Sequence, residues 1–322
     1  MQVIPFAERH VEDAAALVAR RYARLRSVVP LLPEHYEDPA ALQPLVESLT
    51  RHQTGVAAMD DGRLVGFLIG MLLPEFRGRR SIYSPEWGNA AAEDRSGEVY
   101  QRMYAALAEA WVSERCLAHY VSVFAHDRPG IEAWHWQSFG MMSVDAMRGV
   151  EPVSGKRLAA NIETAPAALD DVGALVHLNA ALKDYVRSAP IFLLDDHIWD
   201  RTAWEEYLHD AQNCVWLALS HGTPVAFMRI GPANPEACYV IRDPQTASIT
   251  GAFTEAAYRS AGVATTLLNH LLDWARARGY ERCAVDFEPM NVPGARFWLS
   301  HFQPFCFSMQ RVVDDRLVPP AP

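Results

Sequence analysis

YRSAGVATTLL, residues Tyr258–Leu268, sets an arginine, a glycine and several very small side chains directly ahead of a helical apolar pattern. From Val263 onward, Val263, Leu267, Leu271 and Ala275 recur every four positions, which is one face of a helix. Arg276 and Arg278 fall where the helix dipole is negative, and Gly279 is placed to end the helix. A helix start leaves its first amides without intrahelical partners and carries partial positive charge, so it suits an anion. Small residues let a pyrophosphate come close to that backbone. The stretch has no G-x-x-x-x-G-K-[ST] and no G-x-G-x-x-G, which excludes a P-loop and a Rossmann dinucleotide site.

Outward from this stretch the chain reads as αβ material twice over. VIPF is a short strand, EDAAALVARRYARL a helix, and GVAAMDDGRLVGFLIGML a hairpin turning at Asp61-Gly62. SIYSPEW, a helix from about Glu98 to Glu114, the strand HYVSVFA and a short helix near Glu132–Gln137 follow. The second half repeats the order. NIET, the helix ALDDVGALVHLNAAL, a hairpin turning at His221-Gly222, the strand SITGAFT, the opening helix, the strand CAVDFE, the short helix PGARFWLSH and a closing strand FCFSMQRVV succeed one another. Thr202-x-x-Glu205 reads as a capping box.

Register supports a duplication. Arg95 and Arg259 stand 164 positions apart, and Asp127/Asn291, Pro129/Pro293, Gly130/Gly294 and Trp134/Trp298 keep that offset. The period is far longer than a solenoid repeat. The expected domains are residues 1–152 and 158–322, joined by the polar EPVSGKR stretch. The fold class is α/β (α+β), two tandem domains, each a mixed, mostly antiparallel sheet flanked by helices.

Composition narrows the function. Half of the 322 residues are hydrophobic and no apolar run approaches the roughly 18 residues of a membrane span, so no membrane partner is expected. The N-terminus lacks the basic and apolar regions of a signal peptide. A net charge of −10 argues against nucleic acid and is compatible with a cationic substrate. Five widely spaced cysteines without C-x-x-C fit a reducing cytoplasm, and neither a disulfide framework nor a metal site is expected.

With the strand before it and the helix after it, Arg259-Ser260-Ala261-Gly262-Val263-Ala264 resembles the [QR]-x-x-G-x-[GA] phosphate motif of the GCN5-related N-acetyltransferase (GNAT) superfamily. Asn291 to Phe302, N-x-x-x-A-x-F-W-x-x-x-F, is similar to that family's second signature. The resemblance covers nearly the whole chain as two tandem GNAT-like domains, but the full motif stands only in the second. At the offset of 164, Gly262 meets Glu98, Ala264 meets Tyr100, and Asp286 and Glu288 meet Ser122 and Phe124. The first domain is therefore expected to be degenerate, serving in packing, in walling the substrate cleft or in dimerisation.

The resemblance implies acetyl-CoA as co-substrate, a small-molecule amine as acceptor, and direct attack without a covalent enzyme intermediate. It implies that strands Ser248–Thr254 and Cys283–Glu288 splay, with backbone near Ala252, Phe253 and Thr254 holding the pantetheine arm and the acetyl carbonyl. The phosphate contacts would come from Arg259, Ser260, Ala261, Gly262, Val263, Ala264 and Thr265, with Asn291, Phe297 and Trp298 lining the cofactor. Glu288 is the first candidate for the base, a strand-end carboxylate whose partial burial would raise its pKa. Glu255 is a second candidate, and Asp286 is expected to be structural or to orient substrate. The family's usual general-acid tyrosine is replaced by Trp298, leaving water, the substrate's own proton, or Tyr258 or His301. A non-catalytic acyl-CoA-binding protein and a protein N-acetyltransferase remain alternatives; a monomer and a homodimer both remain open.

Overall fold

Each unit holds its own run of paired strands, and the last strand joins the first unit. The computed structural model describes residues 1–50, 54–194 and 196–317. The first unit comprises Met1–Asp145, Cys238–Val240 and the chain from Pro304 onward; the second comprises Ala146–Ala237 and Ile241–Gln303.

In the first unit the elements are β1 (Gln2–Pro5), α1 (Val11–Val28), α2 (Pro39–Thr50), β2 (Thr54–Asp60), β3 (Arg63–Phe76), β4 (Arg79–Ser84), β5 (Asn89–Ala91), α3 (Ser96–Ser113), β6 (Ala118–Phe124) and α4 (Arg128–Trp136). β7 (Gly140–Gly149) carries the chain into the second unit, which holds β8 (Ile162–Pro166), α5 (Val172–Arg187), α6 (Arg201–His209), β9 (Cys214–Ser220), β10 (Thr223–Pro232), β11 (Thr246–Thr254), α7 (Val263–Ala277), β12 (Arg282–Phe287) and α8 (Val292–His301). β13 (Gln303–Val312) closes the order.

Both predicted hairpins form, because the turn dipeptides tolerate left-handed backbone. Asp61 and Gly62 have φ of 47° and 76°, and His221 and Gly222 have 50° and 78°. Each is a two-residue turn, closed by Asp60 opposite Arg63 and by Ser220 opposite Thr223. The strand order of the first sheet is β1-β2-β3-β4-β6-β13, with β5 on β3, and only the β4–β6 pair is parallel. The second sheet runs β8-β9-β10-β11-β12, with only β11–β12 parallel. Both are mixed, mostly antiparallel sheets, as the sequence predicts.

Helix faces build the cores. α3 sets Val99, Met103, Leu107 and Trp111 against Leu68, Trp134 and Phe139, and α5 and α6 set Leu175, Leu178 and Trp204 against Val215, Leu217 and Phe227. Truncating a fully buried tryptophan such as Trp134 or Trp204 to alanine costs about 3–5 kcal/mol.

Three features differ from expectation. FCFSMQRVV does not close the second sheet: Cys306 to Val312 pair antiparallel with Phe124 to Ala118 of the first. All seven residues of β6 are buried, so that strand needs partners on both edges, and an alternating apolar segment satisfies it from any point in the sequence. α2 carries Pro44 inside it, which obscured its helical pattern. The Thr202 capping box is replaced by Asp200, whose Oδ1 accepts the Ala203 amide at 2.9 Å and so starts α6 two residues earlier.

Candidate functional site

The functional geometry of the second unit begins where β11 and β12 part. Thr246–Ile249 pair with Arg282–Val285 and the ladder stops there, while β11 stays paired with β10 as far as Thr254 opposite Ala226. From Thr250 on, the β12-side edge of β11 has no strand partner among the described residues, and Gly251–Thr254 are half-exposed. A register shift against β10 marks the start of this stretch. Arg229 fixes it: its Nη2 donates to the Thr250 carbonyl at 2.8 Å, and its guanidinium lies 3.5 Å from the centre of the Trp199 ring. A bulge re-aims a strand, and here the re-aimed residues include Ala252, Phe253 and Thr254.

After Glu255 and a single 3-10 turn at Ala256–Tyr258, the chain enters α7 through alternating backbone conformations. Ser260 has φ +60° and Gly262 φ +81°. The amides of Gly262, Val263, Ala264 and Thr265 have no hydrogen-bond partner among the described residues. Unpartnered amides at a helix start are suited to an anion.

Gly262 also answers to its own chain. A Cβ there would stand 2.6 Å from the carbonyl oxygens of both Lys156 and Arg157, and the left-handed φ alone disfavours other residues. The stretch read as a plain linker is in fact strapped along the start of α7. Asn269 bonds Val153 in both directions at 2.7 and 3.0 Å, and the Ala159 amide donates to the Ala261 carbonyl at 3.0 Å. A substitution at Gly262 therefore reports on this strap as well as on any ligand. Ala264 and Thr265 are half-exposed in the first turn, and Lys156 and Arg157 are exposed on the strap.

Arg259 is held over the site by two contacts. Its Nε donates to the Thr254 carbonyl at 3.0 Å, and its guanidinium lies 4.4 Å from the Tyr185 ring centre. Tyr185, from α5, donates its hydroxyl to Asn291 Oδ1 at 3.0 Å and packs 6.4 Å from the Phe253 ring. Asn291 caps α8 by accepting the Gly294 amide at 3.3 Å. The structure thus joins Phe253, Arg259 and Asn291 through Tyr185, which sequence reasoning missed: a tyrosine on an amphipathic helix carries no local signal. Trp298 is 8% exposed and packs between Phe297 and Phe302, with ring centres 4.9 and 5.5 Å away.

The carboxyl pair stands at the end of β12. Asp286 is exposed by surface area although protein surrounds it on most sides, and desolvation, followed by the neighbouring Glu288, pushes its pKa up to about 6. Asn234 opposes the shift, its side-chain amide standing 3.5 Å from Asp286 Oδ1. Asn234 is a second residue that the sequence did not mark. Glu288 is half-buried, and its carbonyl accepts the Asn291 amide at 3.1 Å, which ties the carboxyl pair to the α8 cap. Glu255, also half-buried, closes β11 by donating its amide to the Val225 carbonyl at 3.0 Å. A hollow of about 570 Å³ lies in the first unit against Tyr104, His119, Arg311 and Leu317.

In the first unit the equivalent positions are filled. Glu98 pairs with Arg95 at 3.3 Å and Arg102 at 3.1 Å, while Arg95 also reaches Asp60 at 2.5 Å. Tyr100 is buried, donating its hydroxyl to Asn89 at 3.1 Å and packing on Trp134. Asp127 caps α4 as Asn291 caps α8, accepting the Gly130 amide at 3.1 Å.

Comparison with known proteins agrees with this geometry. Residues 178–302 match the Acetyltransferase (GNAT) family model. Among solved structures, a GCN5-related N-acetyltransferase from Sphaerobacter thermophilus superposes with a TM-score of 0.59 at 14% identity, covering 96% of this chain and 95% of that one. A GCN5-related glucosamine N-acetyltransferase region of a fungal multi-domain GH3 β-N-acetylglucosaminidase superposes with a TM-score of 0.50 at 11% identity, covering 96% of this chain and 38% of that one. At such identities the likeness is one of fold. No curated protein sequence matches the chain. No helix among the described residues is long and apolar enough to cross a membrane. The family match, which spans residues 178–302, lies over the splayed strands, the bare amides and the α8 cap, so this part of the chain is similar to the GNAT acetyltransferases.

Proposed function

We propose that the second unit transfers an acetyl group from acetyl-CoA to the amine of a small molecule in the cytoplasm. The observation that carries this reading is the coincidence of the strand splay after Ile249 and Val285 with the unpartnered amides of Gly262–Thr265 in the same unit. The residues present fit the co-substrate: an open strand edge suits an amide-bearing arm, and bare amides beside small residues suit a pyrophosphate. Ala252, Phe253 and Thr254 would hold the arm, and Ser260, Ala261, Gly262, Val263, Ala264 and Thr265 the phosphates. Arg259 braces the loop between them, and the strap adds the positive charge of Lys156 and Arg157.

Acetyl-CoA supplies an activated acyl thioester. Asp286 takes the proton from the attacking ammonium, because a carboxyl with a pKa of about 6 is ionised at neutral pH yet basic enough to accept a proton. Glu288 raises the basicity of Asp286 and adds to the attraction for a cationic amine. This exchanges the roles expected for the two carboxyls from sequence. A backbone amide of Phe253 or Thr254 polarises the acyl carbonyl. Trp298 has no proton to give, so the leaving thiolate is protonated by water or by the substrate. The buried packing of Trp298 favours a second reading, an acyl-CoA-binding protein without turnover. Acetyl-CoA consumption against a panel of small amines separates the two: turnover on at least one amine, lost in Asp286→Asn, supports the enzyme, and tight binding without turnover on any amine supports the binder.

A further inference from the structure

The first unit gathers three metal-ligating side chains in its interior, and a fourth carboxyl lies against one of them. Asp145 from β7, Cys238, and Cys306 from β13 place a carboxylate oxygen and two thiol sulfurs within 4.8 Å of one another, and all three residues are buried. Glu86, which follows β4, lies against the Cys238 thiol and is 2% exposed. Its Oε1 accepts the Val240 amide at 3.1 Å, and its buried Oε2 meets no well-aligned donor among the described residues, only the Cys238 thiol lying against the carboxyl. Asp145 Oδ1 likewise accepts the Cys238 amide at 3.2 Å, so both carboxyls are held in place by backbone.

We propose that Cys238, Cys306, Asp145 and Glu86 form a structural zinc site. A buried carboxyl oxygen with no well-aligned donor is costly, and a divalent cation is the partner that also satisfies two neighbouring thiols. The donor set is two sulfurs and two oxygens. Thiolates with carboxylates select a borderline-soft cation such as Zn²⁺ over Mg²⁺ or Ca²⁺. Zinc holds sulfur at about 2.3 Å and carboxylate oxygen at about 2.0–2.2 Å, so tetrahedral ligands stand roughly 3.5 Å apart. Asp145, Cys238 and Cys306 meet that geometry once side-chain rotation draws these three in by about 1 Å, and Glu86 turns its carboxyl toward them as the fourth ligand. On binding, the two S–H bonds break, two S–Zn bonds form, and two protons leave to solvent; no electron moves. The four ligands are far apart in sequence, which is why no C-x-x-C spacing announces the site and why none was expected.

The test uses the full chain, reduced and stripped with a chelator, then titrated with Co²⁺ and Zn²⁺. A thiolate-to-cobalt charge-transfer band saturating near one equivalent, displaced by Zn²⁺, is the expected result. Cys238→Ser and Cys306→Ser lose the band, and Cys214→Ser keeps it. Should the serine variants fail to fold, the wild type decides. Free Zn²⁺ at about 100 times its Kd is expected to slow native-state alkylation of Cys238 and Cys306 by about a hundredfold, while Mg²⁺ changes nothing. A wild-type chain with no cobalt band overturns the proposal. So does alkylation indifferent to zinc, or recovery of Cys238 and Cys306 as a disulfide that takes up no metal after reduction.

Discussion

Asp127 and Asn291 occupy the same place in the two units, each capping a short helix, yet their surroundings differ in kind. Asp127 is a buried charge: Arg21 meets it at 2.9 Å, Ser96 Oγ donates to it at 2.7 Å, and both members of the ion pair are about 5% exposed or less. Asn291 is neutral and half-exposed, and receives only the Tyr185 hydroxyl and a helix amide. The same contrast holds at the neighbouring helix start, where Tyr100 and Glu98 fill one copy and Ala264 and bare amides open the other. One copy has turned polar groups inward to hold itself together. The other has left them without partners, which is worthwhile only if something else binds there.

Removing the proposed base has the largest expected effect on that contrast. Asp286→Asn lowers acetyl transfer by about 10²–10⁴-fold with acetyl-CoA affinity nearly unchanged, measured by steady-state kinetics and calorimetry. In the wild type kcat/KM rises as pH climbs through about 6 and then levels, since the base works only when ionised, and the variant loses this dependence. Stability moves the opposite way. A carboxyl whose folded pKa is raised contributes stability below its unfolded pKa, near 3.8, and that contribution is lost as pH rises through about 6. At pH 7 Asp286→Asn therefore has a higher Tm than the wild type while being less active. Equal losses of activity and stability would instead make Asp286 structural.

The first unit is expected to fail differently. Arg21→Met strands the buried charge of Asp127 and costs about 3–5 kcal/mol in chemical denaturation, with acetyl-CoA affinity retained by the folded fraction. Tyr185→Phe is the smallest change, about 1 kcal/mol for one partly buried hydrogen bond. A loss of affinity for acetyl-CoA in Tyr185→Phe that exceeds its loss of stability would show that the ring orients Arg259 rather than merely packing.

Much of this contrast is legible in the residues themselves. The hairpin dipeptides, the apolar face of α7 and the constant offset from Arg95 to Trp298 depend on local geometry, which a sequence records directly. Partners brought in from far along the chain are not legible. Tyr185 meets Asn291 across 106 positions, Asn234 meets Asp286 across 52, and β13 could serve either sheet by its pattern alone. Gly262 is a subtler case. Its smallness reads as room for a phosphate, whereas its φ and the carbonyls of Lys156 and Arg157 require a glycine whatever binds there. The better witness is Ala264, half-exposed in the first turn and in ordinary helical backbone.

Acetyl-CoA binding by isothermal calorimetry, with Ala264→Tyr set beside the wild type, tests the asymmetry most directly. Importing the first unit's residue should abolish binding without lowering Tm, and the wild type should bind a single equivalent per chain. Two equivalents per chain, or undiminished binding by Ala264→Tyr, would contradict the assignment of the site to the second unit.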